Sequence, residues 1–245
     1  MAIVKLSWSG GKDSTAAALL HLKRGDKVKM VCYIPMFTNE IPLILKDHYK
    51  FILRAAEYFR SLGAEVWIVS GMTYYDYVLR RSTRGEHKGE IFGFPCFIRG
   101  QCGFKRDSKE KALKQCDVGQ FDYESLGIAF DEKSRHNQLN DRKRSILVEE
   151  EYEQKDCVAL CVEHGLYSPV YFGRKRDGCA LCFNARFDER KLWFLDYPEA
   201  FNILLHLQDV VRSEKPYKTP LRNYKWFIEP NYQLGIIDQY KYIIN

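Results

Sequence analysis

Residues 2 to 71 alternate between two kinds of periodicity, and no other feature of the chain narrows its fold so far. AIVKLSW (2 to 8) alternates apolar and polar residues as a strand does, and STAAALLHLKR (14 to 24) carries Ala and Leu at helical spacing. KVKMVCYI (27 to 34) reads as a second strand, IPLILKDHYKFILRAAEYFRSLG (41 to 63) as a helix closed by Gly63, and EVWIVSG (65 to 71) as a third strand. Strands alternating with helices imply a parallel sheet with right-handed crossovers and helices on both faces. The expectation is an α/β three-layer sandwich with a five-stranded parallel sheet. Ligands of such sheets sit beyond the carboxyl ends of the strands.

Later segments are read more coarsely. A helix is expected near 106 to 116, a fourth strand over SLGIAFDE (125 to 132), and a helix stopping at His164-Gly165 within 143 to 166. An amphipathic helix is expected over about 186 to 212. The division expected is one domain over 1 to 200 with 201 to 245 packed on it as a carboxyl-terminal extension.

Between the first strand and the first helix lies LSWSGGKDST (6 to 15), with two glycines, a lysine, an aspartate and three serines. A Walker loop with Gly11-Lys12 at its end requires glycine at position 6 and a hydroxyl at 13, where this chain has Leu6 and Asp13. G-x-G-x-x-G is also absent. What remains is S-G-G-K-D-S between a strand and a helix. Gly10 and Gly11 let the backbone approach an anion, the helix amides at Ser14 and Thr15 add a positive dipole end, Lys12 adds a charge, and Ser9 and Ser14 add hydroxyls.

This string resembles the PP-loop of the N-type ATP pyrophosphatases, which grips the pyrophosphate of ATP. More of the chain, roughly residues 3 to 200, resembles the phosphoadenosine-phosphosulfate (PAPS) reductase-like branch, in particular its phage and prophage members. FTNEIP (37 to 42) resembles a T-G-x-E-x-P-like segment that contacts the nucleotide, through Thr38, Glu40 and Pro42. FPCFIRGQCGFK (94 to 105) resembles R-x-x-C-x-x-x-K, which puts Arg99, Cys102 and Lys105 at functional positions. GIAFDEKSR (127 to 135) and HGLYSPVYFGRKRDGCALCFNAR (164 to 186) resemble two further family segments, the first with an extra residue before Ser134 and the second with Phe183 in place of a proline. The resemblance implies an adenine nucleotide alpha-hydrolase-like fold, ATP with Mg2+ at Ser9, Gly10, Gly11, Lys12, Asp13 and Ser14, and Lys12, Asp13, Cys102 and Lys105 as catalytic candidates. It also implies adenylation of a substrate oxygen with release of pyrophosphate. Sulfonucleotide reductases of this branch carry a nucleophilic cysteine in a carboxyl-terminal E-C-G-[IL]-H, and this chain has no cysteine after Cys182. A reductase acting on PAPS or APS therefore stands as the alternative reading.

The chain has eight cysteines. Cys179-x-x-Cys182 is the spacing by which a tight loop offers two thiolates to one metal, and Cys96 and Cys102 are the best additional ligands, with Cys116 as a substitute for Cys96. The family often holds a 4Fe-4S cluster with such cysteines, linked to sulfur transfer; zinc suits the same ligands, and a reversible disulfide is a third reading. Cys157 and Cys161, four apart on a helix, and Cys32 in a strand read as core residues. His87, His136 and His164 read as loop residues rather than bases.

Residues 80 to 114 hold ten Lys/Arg against four acids, while the whole chain has a net charge of +6. An anionic partner is expected there, with a nucleobase in tRNA or DNA as the candidate acceptor. A non-catalytic, zinc-containing nucleic-acid-binding module is the reading from another functional class. With no basic-then-apolar leader and no apolar run near the roughly 18 residues of a membrane span, a soluble cytoplasmic protein is expected.

Overall fold

The structure is a computed structural model that describes residues 1–95, 97–98, 101–172, 177–182, 185 and 187–214. In chain order its elements are β1 (Ile3–Trp8), α1 (Lys12–Lys23), β2 (Lys27–Tyr33), α2 (Lys46–Ser61), β3 (Glu65–Val69), α3 (Tyr74–Leu79), β4 (Phe97–Ile98) and β5 (Gln101–Cys102). There follow α4 (Lys111–Gln115), β6 (Tyr123–Ser125), β7 (Lys143–Arg144), α5 (Ile146–Glu149), α6 (Gln154–Glu163), α7 (Phe187–Asp196) and α8 (Glu199–Glu214). The chain divides into two compact units, one of residues 1–34, 47–69 and 113–177, the other of residues 35–46, 70–112 and 178–245.

The first unit is built on a five-stranded parallel sheet in the order β3-β2-β1-β6-β7, with helices flanking it. The α/β three-layer sandwich is thus the fold of this unit. Strand order runs from β1 through β2 to β3 on one side and then reverses, with β6 and β7 on the other. The reversal puts a crevice outside the carboxyl ends of β1 and β6, where ligands of open α/β sheets bind.

Helix α1 forms because Ala16, Ala17, Ala18, Leu19 and Leu20 are strong helix formers, and all are buried. Its far end is pinned by a polar network. Asp26 accepts from the Ala2 amide at 2.9 Å, from His21 Nδ1 at 2.9 Å and from Arg24 Nε at 2.8 Å, while His21 Nε2 meets Ser125 Oγ at 2.8 Å. Helix α2 buries His48, Phe51, Ile52, Ala55, Ala56 and Phe59, a stripe at helical spacing. Gly63 ends the segment with φ +88, a backbone state that favours glycine.

Two sequence expectations are corrected, and a strand that no segment predicted is added. The fourth strand is Tyr123–Ser125 rather than 125 to 132, because the chain leaves the sheet at Leu126 and turns across the end of α1. The fifth strand is Lys143–Arg144, two exposed residues too short to show a period. The helix expected over 186 to 212 is two, α7 and α8, separated at Pro198, whose missing N–H and ring break a helix interior.

The second unit packs an aromatic core. Phe37, Tyr74, Phe94, Phe104, Trp193 and Phe201 are buried together with the apolar faces of α3, α7 and α8. Trp193 Nε1 donates to the Pro42 carbonyl at 2.9 Å, which satisfies the one polar atom of the largest core side chain. The segment expected as a helix near 106 to 116 starts as a π-helical turn, Lys105–Glu110, and continues as α4. Within the described residues, no helix is long and apolar enough to cross a membrane.

Candidate functional site

The S-G-G-K-D-S string sits at the carboxyl end of β1, on the crevice created by the reversal of strand order. Gly11 is the N-cap of α1 and has no side chain with which to cap it. The amides of Asp13 and Ser14 in the first turn have no intrahelical acceptor, so the helix presents N–H groups and a positive dipole end. The loop is shaped from within: Ser9 Oγ accepts from the Gly11 amide at 3.2 Å, Ser14 Oγ donates to the Gly11 carbonyl at 3.1 Å, and the Ser9 amide donates to Ser14 Oγ at 3.2 Å.

Both glycines are required. Gly10 has φ +74, and a Cβ there would lie 2.6 Å from Ile52 of α2. A Cβ on Gly11 would meet Asp177 Oδ2 at 2.6 Å and the hydroxyls of Ser9 and Tyr171 at 3.0 Å. The backbone therefore comes closer to three oxygens than any other residue would permit.

Four distant segments converge on this loop. From α2, His48 lies beneath it with Nδ1 2.8 Å from Ser168 Oγ and a hydrogen bond to the Ser9 backbone. Burial is the largest influence on this imidazole and pushes its pKa below the ordinary value, with the Asp177 charge opposing the shift. From the turn after β6, Gly127 presses on the backbone of Asp13 and Ser14, and the Glu132 charge acts on Asp13. Glu132 is itself held by the Ala129 amide at 3.1 Å and Arg135 at 2.9 Å.

From α6 and the turn beyond it, Gln154 accepts from Lys12 Nζ at 3.0 Å, Cys161 Sγ donates to the Lys12 carbonyl at 3.2 Å, and the Lys12 amide donates to the Tyr171 hydroxyl at 3.4 Å. The last segment brings Asp177, whose Oδ2 accepts from Ser9 Oγ at 3.3 Å. Lys12 also pairs with Asp13 at 2.6 Å. Burial raises the Asp13 carboxyl above its usual range, with Lys12 opposing and the Glu132 and Asp177 charges adding to the rise. Cys157 and Cys161 are fully buried, and burial followed by the Asp13 charge pushes both thiols up to about 12. They are packed supports of the loop rather than nucleophiles.

The second unit holds the remaining candidates. Thr38 Oγ1 accepts from the amides of Glu40 and Ile41, at 3.4 and 3.2 Å, so it shapes the FTNEIP turn on which Glu40 is exposed. Cys102, Cys179 and Cys182 are half-buried. All three influence Tyr74, a fully buried phenol whose hydroxyl has no hydrogen-bond partner among the described residues. Burial is the largest influence on Cys102 and raises its thiol, opposed by hydrogen bonds from the Lys105 and Phe104 backbones and by the charge of exposed Lys105.

Within the described residues, no group of three or more His, Cys, Asp or Glu is arranged to hold a metal ion. Cys96 and Arg99 lie outside the described residues, and Cys116 belongs to the first unit. Thiolates as a ligand type suit a thiophilic metal, but the described cysteines Cys102, Cys179 and Cys182 are not grouped as ligands of one.

The basic segment is partly committed internally. Arg80 and Arg106 both pair with Asp107, and Arg80 lies 3.7 Å over Phe92 and 4.7 Å over Tyr77. Arg81 pairs with Glu214 at 2.8 Å. Arg84, Lys88, Lys105 and Lys111 are exposed on this unit.

Sequence reasoning missed His48, Gln154, Tyr171 and Asp177. Tyr171 and Asp177 fall within a quoted motif without being singled out, and His48 carried one usable signal, a polar ring on the apolar stripe of α2. Comparison of the chain with family models and with curated proteins finds no match.

Proposed function

We propose that the chain is a PP-loop enzyme of the PAPS reductase-like type, which binds ATP with Mg2+ at Ser9–Ser14 and transfers the adenylyl group to a substrate oxygen. The single observation that carries this reading is the S-G-G-K-D-S loop at a helix N-terminus whose N-cap glycine supplies no capping side chain, at the reversal of strand order. In the step, the substrate oxygen bonds to the α-phosphorus, the bond from that phosphorus to the α–β bridging oxygen breaks, and pyrophosphate leaves with the bond's electrons. The α1 amides, and Lys12 once it exchanges Asp13 and Gln154 for the phosphate, stabilise the charge that grows on the leaving group, the dominant contribution in phosphoryl and nucleotidyl transfer. His48, Cys161 and Gly127 hold the loop in the geometry that makes this possible.

A cysteine-ligated site would be held by Cys102, Cys179 and Cys182 with Cys96 as the fourth ligand. A 4Fe-4S cluster there would supply sulfur transfer or substrate positioning; zinc would make the site structural. A nucleobase in tRNA or DNA is the acceptor class that suits the exposed cations Arg84, Lys88, Lys105 and Lys111. Cytoplasmic location accords with this substrate and with the cysteine chemistry.

The test is ATP–pyrophosphate exchange with the purified chain, Mg2+ and a total tRNA or DNA preparation as acceptor. Wild type is expected to exchange, Lys12→Ala to lose at least about a hundredfold of the rate, as losing one electrostatic contact in such sites does. No exchange, together with consumption of added PAPS or APS, would replace this reading with the sulfonucleotide one.

A further inference from the structure

The anion seat of the loop contains a carboxylate of the chain itself. Asp177 Oδ2 accepts from Ser9 Oγ at 3.3 Å and lies 2.6 Å from the point where a Cβ on Gly11 would be, so it is over the face Gly11 leaves open. Its charge reaches the residues around the seat, namely His48, Tyr171 and Asp13. Among the described residues, the loop's own cation is directed elsewhere, because Lys12 Nζ is bonded to Asp13 at 2.6 Å and to Gln154 at 3.0 Å. His48 beneath the loop is buried and held toward its neutral form, so it adds no balancing charge.

We infer that Asp177 is a specificity residue of the phosphate seat: its carboxylate occupies the place of a phosphate group, so an anion enters by displacing it or with its own charge already neutralised by a divalent cation. The inference rests on the reading of Ser9–Ser14 as a phosphate loop and adds what that loop selects. A phosphate resting on Ser9 Oγ and the Gly11 backbone meets the Asp177 oxygen at hydrogen-bonding distance, and two like charges there oppose binding. A metal-complexed polyphosphate meets it with much of that charge cancelled. The loop then discriminates against abundant free anions such as inorganic phosphate and sulfate, and in favour of a metal-bound nucleotide.

Titration calorimetry of the full chain with inorganic pyrophosphate tests this, in EDTA and again in excess Mg2+, for wild type, Asp177→Asn and Asp177→Ser. In EDTA both variants are expected to bind at least about tenfold more tightly than wild type, the order set by removing one juxtaposed like charge. In Mg2+ the difference is expected to shrink below about threefold. Equal or weaker binding by the variants in EDTA overturns the inference. So does a loss of Mg2+-dependent binding in the variants, which would make Asp177 a cation ligand. If no protein binds pyrophosphate in either condition, the phosphate-loop reading falls and takes the inference with it. Binding by all three with no difference sinks the role of Asp177 alone. Two replacements of different size, each checked by circular dichroism, separate the effect from misfolding.

Discussion

The backbone of Gly127 lies so close to the first turn of α1 that a Cβ built on it comes within 2.6 Å of the Ser14 nitrogen and 2.8 Å of its α-carbon. The atoms it would meet are backbone, which cannot swing aside as a side chain can. Gly127→Ala therefore pushes on the helix end proposed to seat phosphate. Overpacking of this kind costs about 1–3 kcal/mol, and the expected outcome is a lower melting temperature together with weaker pyrophosphate binding. A variant that binds as wild type would show that the loop does not depend on this contact.

His48 and His21 are both buried, and burial is the first cause holding each below the ordinary 6.5. Below that pH the unfolded chain takes up protons that the folded chain does not, so stability is complete above about 6.5 and declines as the pH falls. Each site contributes up to about 1.4 kcal/mol per pH unit to the slope. Urea midpoints between pH 8 and 5 are expected to fall steadily, and His48→Gln to flatten the decline. An unchanged slope in that variant would place the proton uptake elsewhere.

A separate acid window belongs to Asp26. Burial opposes its ionisation, but the Ala2 amide, His21 and Arg24 outweigh burial and hold the carboxyl at about 2 against an ordinary 3.8. The depressed value contributes stability that is present above about 3.8 and lost as the pH falls through about 2. Asp26→Asn is expected to cost about 2 kcal/mol at neutral pH, and to approach wild type in stability near pH 2. Acid unfolding curves of the two proteins, converging or not, decide it.

Tyr74 tests the proposed cysteine-ligated metal. Its hydroxyl is buried without a partner among the described residues, under the influence of Cys102, Cys182 and Cys179, so in metal-free protein Tyr74→Phe is expected to be neutral or stabilising by up to about 1–2 kcal/mol. In protein carrying the proposed metal, a ligating thiolate would offer the hydroxyl an acceptor, and the same change is expected to lower metal content and stability. Absorbance near 400 nm with about four irons per chain supports the cluster, and one zinc with no iron supports a structural site. An identical effect of Tyr74→Phe with and without metal would separate the phenol from the cysteines.

What the sequence alone determined is the part written in local periodicity. Alternation in β1, the Ala-rich run of α1, the stripe of α2 and the breaks at Gly10, Gly11 and Gly63 depend on neighbours a few residues apart, so the parallel sheet and the position of the S-G-G-K-D-S loop were legible there. Tertiary structure decided what surrounds the loop. Gly127, Gln154, Cys161, Tyr171 and Asp177 are more than a hundred residues from Ser9–Ser14 in sequence and reach it only because β6 pairs with β1 and α6 packs on α1. The same holds for β7, whose two exposed residues have no pattern of their own and become a strand by hydrogen bonding to β6. Short-range spacing encodes which elements form; which side chains meet depends on the order in which strands pair, and that order is fixed by burial of the whole sheet rather than by any one segment.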